Sequence, residues 1–323
     1  MRTPKERRQQ AFLFYFISVE LLPNISVNAT WSEHGVTVAG GHGQGDGLHQ
    51  LSIPIGLYVD EDQTVYIADS LNHRIIAWKR GATIGQVVAG GNGQGNGTDQ
   101  LNEPTDVILD KRTDTLIICD WGNQRVMRFS RQNGTKGETI VPIVACSRLT
   151  MDNEGFLYVS DYHFNEVRRY RMGEIHGIVV AGGHGAGDSF NQLNWPTHVV
   201  VDADQSVYVS ELNNHRVSKW IKNEQKGIIV AGGRGPGDDL TRLCLPRGIV
   251  VDQLGQVYVA DCQNNRVIRW RSGDIYGVVI VGGKDTNPLN FPVSLSFDRD
   301  GNLYVVDQNN HRVQRFDIKD ISF

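Results

Sequence analysis

Residues 69–78 read DSLNHRIIAW. The same ten positions return as DWGNQRVMRF (120–129), DYHFNEVRRY (161–170), ELNNHRVSKW (211–220), DCQNNRVIRW (261–270) and DQNNHRVQRF (307–316). The leading acid falls at 69, 120, 161, 211, 261 and 307, a spacing of 51, 41, 50, 50 and 46 residues. A period of this size marks an array of equivalent supersecondary units. Each unit carries more than the decapeptide. Leu-x-x-Pro leads into an apolar run closing on Asp, as in IGLYVD (55–60) and RGIVVD (247–252). A turn and a second run follow, TVYIAD (64–69) or QVYVAD (256–261); then comes the NHR turn, a third run, and a fourth such as GQVVAGG (85–91).

Four short β-branched runs per unit, bounded by Gly, Asn and Asp, are four strands. Four antiparallel strands per unit of ~45–50 residues predict a propeller blade. Alternation in TVYIAD sends Val65 and Ile67 to one face and Tyr66 and Ala68 to the other. Both sets are apolar because a blade packs between two others. The first three strand types occur six times. So does the fourth, but its first copy, GVTVAGG (35–41), precedes every other strand. The expected fold is therefore all-β, a six-bladed propeller whose N-terminal strand completes the last blade and removes two open edges. Trp31 is expected at that seam, in the position that Trp78, Trp220 and Trp270 hold before their own fourth strands.

The repeated text resembles NHL repeats, and the whole resembles an NHL-repeat six-bladed β-propeller over about residues 31–319. That family uses one scaffold for many activities, so the resemblance implies a fold more than a function. It implies three roles: a binding scaffold; a metal-dependent enzyme similar to the peptidyl-amidating lyases, whose propeller binds zinc through histidines near its channel; or an RNA-binding or ubiquitin-ligase-associated protein. For the last, no CxxC pair or heptad precedes the repeats, and a formal net charge of −4 is the wrong sign for a polyanion binder.

Six copies of one constellation are expected to brace the fold, since a brace is needed once per blade and an active site once per protein. The set is Asp69, Asn72 and Arg74; Asp120, Asn123 and Arg125; Asp161 alone in unit three; Glu211, Asn214 and Arg216; Asp261, Asn264 and Arg266; Asp307, Asn310 and Arg312. The acid is expected to accept backbone N–H groups across its turn, the Asn to take a left-handed conformation, and the Arg to reach a carboxylate. Unit three breaks the pattern with Phe164 and Glu166 and lacks the Gly-Gly loop, which makes it either a tolerated degenerate blade or a place where a partner docks.

The candidate binding face is the loop end of the blades, where Asp46, Asp99, Asp188, Asp238, Asp239 and Asp285 ring one mouth of the channel. His198 stands where other units have the Gly of P-x-G, near that mouth. With His42 and His184 it forms the candidate metal set, although no metal or other cofactor is expected. The expected partner is a protein or a glycan. GGHGQGDG lacks the Lys-Ser/Thr and the helix of a phosphate loop. It also places its Asp one residue late for the calcium nonapeptide.

Cys244 and Cys262 lie at strand ends of one blade that antiparallel pairing brings together, and Cys119 and Cys146 lie near one face of blades two and three, so two disulfides are feasible; the alternative is four thiols. Residues 1–25 pair a basic leader with AFLFYFISV (11–19), a secretory or membrane-anchoring pattern ahead of the propeller at 26–323. The best small-residue cleavage pattern is Val27-x-Ala29. The sequons at Asn96 and Asn133 fall in loop text, and with the leader they imply an extracellular or membrane-anchored protein.

Overall fold

The computed structural model describes residues 25–132, 134–283 and 289–319. It contains six four-stranded antiparallel sheets. The first blade is typical: β2 (Pro54–Val59), β3 (Val65–Asp69), β4 (Arg74–Trp78) and β5 (Gln86–Gly90) lie side by side in chain order. The first strands of successive blades touch around the ring and so form its inner wall. The ring closes as expected. β1 (Val36–Gly40) pairs with β24 (Arg312–Phe316), Val36 opposite Arg315 and Gly40 opposite Arg312, and β23 (Leu303–Asp307) and β22 (Pro292–Phe297) complete the sheet in the order β1-β24-β23-β22. Two further backbone bonds clamp the seam, Ser32 N–H to Asp317 O (2.8 Å) and Lys319 N–H to Thr30 O (2.8 Å).

Six apolar cores follow from strand alternation, one at each blade interface. Val65 and Ile67 pack with Tyr304, Val306 and Val313 of blade six. Tyr66 and Ala68, from the same strand, pack with Val107, Leu116 and Ile118 of blade two. Every residue of Val65–Asp69 is buried. The Asp closing the first strand ties its end to the second. Asp252 Oδ1 accepts the N–H groups of Leu254 and Gln256 (both 2.9 Å), and Oδ2 accepts the Tyr258 hydroxyl (3.1 Å). Asp152–Tyr158 and Asp298–Tyr304 repeat this bond, which explains why the VD and VY text recur together.

Trp31 lies at the seam as expected, its backbone bridged to Ile318, but it does not hold the position expected of it. Phe316 holds the position of Trp78: each is the residue opposite the first residue of its neighbouring strand, Leu303 and Val65 respectively. Trp31 instead fills the interface of blades five and six, stacked on Phe297, edge-on to Tyr258, and donating its indole N–H to Gly301 O (3.0 Å). Ile25 and Ala29, the latter closing the Val27-x-Ala29 pattern, are buried in the same cluster. The rest of the leader lies outside the described residues. Among the described residues, no helix is long and apolar enough to cross a membrane.

Candidate binding face

The repeated acid, Asn and Arg converge in each regular blade, and they grip the Gly-rich loop that leads into it. In blade one, Asp69 Oδ1 accepts the Ser52 N–H (2.7 Å), and Oδ2 accepts from Asn72 Nδ2 (2.8 Å) and Arg74 Nε (2.7 Å). Asn72 also donates to Gly45 O (2.9 Å), and the Arg74 guanidinium to the carbonyls of Asp46, Gly47 and Gln50. Asp120–Asn123–Arg125 and Asp261–Asn264–Arg266 copy this network. Asp307 likewise binds Asn310 and Arg312. Glu211 keeps Asn214 and Arg216 and adds the Ser218 hydroxyl (2.7 Å). The carboxylate thus reaches the incoming loop and not, as expected, the amides of its own turn. Only Asp161 uses its own turn, accepting from His163 and Phe164 N–H.

The left-handed residue is also one place later than expected. His73, Gln124, Asn165, His215, Asn265 and His311 have φ near +50°. Five of them cap an amide of the next blade. Glu103 N–H donates to His73 Nδ1 (3.1 Å), Leu245 to His215 (3.2 Å) and Ile53 to His311 (3.3 Å), while Trp195 and Phe291 donate to the Oδ1 of Asn165 and Asn265 (both 2.8 Å). The His of the motif is a latch between blades. Its acceptor nitrogen must be unprotonated, and burial lowers the His215 and His311 pKa, against the pull of Asp261 and Asp69. A depressed His pKa gives stability that is full above the unfolded value, about 6.5, and lost as pH falls through the folded value. Asn does the same job without titrating. A His215→Asn/His311→Asn variant is therefore expected to melt normally at neutral pH and to lose less stability than the parent between about pH 7 and pH 5; parallel melting curves across that range check it.

Above the latches lies the channel mouth. Trp121 and Tyr162, from the turns of blades two and three, and Trp195, ahead of the first strand of blade four, form one row. Centroids are 6.1 and 5.5 Å apart with interplanar angles near 30°. Trp195 is 47% exposed, so the row opens to solvent at that end. Beneath it, the residue two places after the leading Pro is Gly56, Asp106, Arg148, His198, Gly248 or Ser294, with Cys146 taking the Pro's place in blade three. Arg148 reaches across the axis, donating to Ile55 O (3.0 Å), Val293 O (3.3 Å) and Thr105 O. Burial pushes the Asp106 carboxyl up to about 6, with Arg148 opposing. Burial and then Arg148 hold His198 well below its ordinary pKa, and its Nδ1 has no hydrogen-bond partner. Aligning the six units at the Pro would have exposed Asp106 and Arg148 beside His198; His198 alone stood out because it replaces a glycine.

The acidic residues divide. Asp46, Asp188 and Asp238 are exposed and equivalent, each lending its carbonyl to the brace Arg. Asn96 takes that place in blade two and is also exposed. Asp99 accepts from Asn92 within its loop. Asp239 is held down to about 2, first by Thr241 and then by Arg242. Asp285 and Asn133 lie outside the described residues. His42 and His184 bond to carbonyls of their own loops, and among the described residues no three His, Cys, Asp or Glu come together as a metal site.

Cys119 and Cys146 form a disulfide, Cα–Cα 5.6 Å, joining blades two and three. The Cys244–Cys262 pairing is corrected, because both are free thiols. Their backbones are neighbours, with Gln263 N–H bonded to Cys244 O, but Cys262 Sγ turns into the ring and donates to Pro292 O (2.7 Å). Burial raises its pKa to about 12, which makes it a poor nucleophile.

The sheets, their ring order and the closed seam define a six-bladed β-propeller. The NHL repeat model matches residues 243–270 and 289–316. The chain is a six-bladed β-propeller whose fifth and sixth blades carry NHL repeats. No curated protein matches it. Among solved structures it is similar in fold to a protein of unknown function from Bacteroides thetaiotaomicron (TM-score 0.69, 16% identity, covering 90% of this chain and 76% of that one). It is also similar to an auxiliary nutrient binding protein from the same organism (0.67, 15%, 88% and 76%) and to virginiamycin B lyase from Staphylococcus aureus (0.59, 11%, 89% and 99%).

Proposed function

We propose that this propeller is a non-catalytic, extracellular binding scaffold that holds a protein partner on its loop face. The observation that carries this reading is the Trp121–Tyr162–Trp195 row, with acidic Asp46, Asp188 and Asp238 exposed on the Gly-rich loops. Aromatic anchors inside a polar rim are the composition of protein interfaces, and the acidic rim suits a partner with basic flanks. The Cys119–Cys146 disulfide and the exposed Asn96 sequon support an oxidising, glycosylating compartment. The membrane enters this reading only through the N-terminal leader.

The test is saturable binding of the purified propeller to protein fractions and, in parallel, to a glycan array. Protein binding that survives deglycosylation of the fractions supports the reading. Binding to free glycans alone replaces the partner class, and no saturable binding to either overturns it.

A second reading, a propeller enzyme, draws on the buried Asp106–Arg148–His198 layer, where a neutral imidazole with a free Nδ1 sits beside a cation. Stoichiometric zinc in the purified protein would favour it.

A further inference from the structure

Blade three arrives without its loop. From the amide that bonds to the left-handed residue to the start of the first strand, blade two uses Gly91 to Pro104 and blade three only Val144 to Cys146. The approach to blade three is 11 residues shorter. The other loops run along the blade flank and end on one recurring bond. The first glycine beside the outer strand donates its N–H to a loop carbonyl: Gly85 to Leu48 O, Gly137 to Thr98 O, Gly227 to Phe190 O and Gly277 to Leu240 O, at 2.6–2.7 Å. Gly177 is the same glycine in blade three, and its N–H has no backbone acceptor among the described residues. Where the loop would lie there is a cleft of about 330 Å³, lined by Ile143, Phe164, Arg168, Tyr170, Ile175 and Gly177 among others.

Two residues at its lip break the repeat. Phe164 stands where the brace has Asn, and it is 57% exposed. Ile143 stands where other blades have glycine; it has φ +55° and is 86% exposed. A β-branched residue in the left-handed region is strained, and such strain marks functional positions.

The geometry points to this cleft as the docking site for a peptide turn of the partner. A backbone carbonyl of the turn accepts the Gly177 N–H, and an apolar side chain, Leu or Phe, packs on Ile143 and Phe164. The four loops of this chain are the template for the carbonyl contact. The apolar contact is particular to blade three: in the pairing register Pro142 takes the place of Gly90 opposite the brace position, and Ile143 takes the place of Gly91. The inference deepens the binding-face reading but uses none of its aromatic row.

The probe is a cyclic peptide copying residues 185–192 (GAGDSFNQ), the loop segment that carries the carbonyl contact in blade four. It is titrated into ¹⁵N-labelled full-length protein. The expected result is a saturable downfield shift of the Gly177 amide. In an Ile143→Gly/Phe164→Asn variant, which restores the pattern of the other blades, affinity falls at least about tenfold, and in Trp195→Ala it is unchanged. Grafting residues 91–103 between Val144 and Cys146 fills the cleft and abolishes the shift. No Gly177 shift up to about 5 mM peptide, or an equal shift in the grafted protein, overturns the proposal. No saturable partner capture by the parent protein, with the peptide shift intact, would instead count against the binding-face reading alone.

Discussion

Asp261→Ala is expected to destabilise the propeller by about 3–5 kcal/mol, a fall of roughly 6–15 °C in melting temperature for a domain of this size. Asp261 is fully buried and accepts from Cys244 N–H, Asn264 and Arg266. Burial raises its pKa, with Asn264, the Cys244 amide and Arg266 opposing in that order. Alanine leaves the Arg266 guanidinium, itself buried, without its carboxylate, and it frees the loop that Arg266 holds through the carbonyls of Asp238, Asp239 and Arg242. Asp46→Ala, on the exposed rim, should change stability by less than about 0.5 kcal/mol. Thermal melts of the two variants decide whether the repeated acids brace the fold. Equal melting temperatures would reopen the motif as a functional site.

Arg148→Ala is the second large effect, again about 3–5 kcal/mol, because a buried charge is removed from its partners. Its guanidinium joins the inner strands of blades one, two and six to blade three. Without it, three carbonyls lose their donor and Asp106 loses the one cation opposing its burial. An Asp106→Leu/Arg148→Met double variant, which removes both charges at similar volume, should recover much of the loss, since apolar replacement of a buried pair is often neutral. Chemical denaturation of the single and double variants reads this coupling directly. An unchanged midpoint in Arg148→Ala would show that the axial contacts contribute nothing.

The fold was legible because each blade rewrites the same alternation: Val65 and Ile67 against Tyr66 and Ala68 predicted two faces, and two separate cores resulted. The closing strand was legible as a count of VAGG runs. The brace residues were legible by repetition, but their partners were not. Asp69 bonds to Ser52, seventeen residues back, and His73 to Glu103 in the next blade, contacts that only the closed ring creates. The mouth was least legible. Trp121, Tyr162 and Trp195 come from three blades and from two kinds of position, turn and strand approach, so no local pattern unites them. Cys262 was misread because pairing places backbones, while the side-chain direction that parts it from Cys244 is set by packing on blade six.

The repeated residues hold the ring, and in the proposed function the mouth residues hold the partner. The most direct test is a Trp121→Ala/Trp195→Ala variant, assayed for partner binding and melted alongside the parent. Losing two interface anchors should weaken binding by at least about thirtyfold, or 2 kcal/mol, while the melting temperature moves by only a few degrees. Unchanged partner binding by a folded variant would contradict the account and move the functional surface away from the channel mouth.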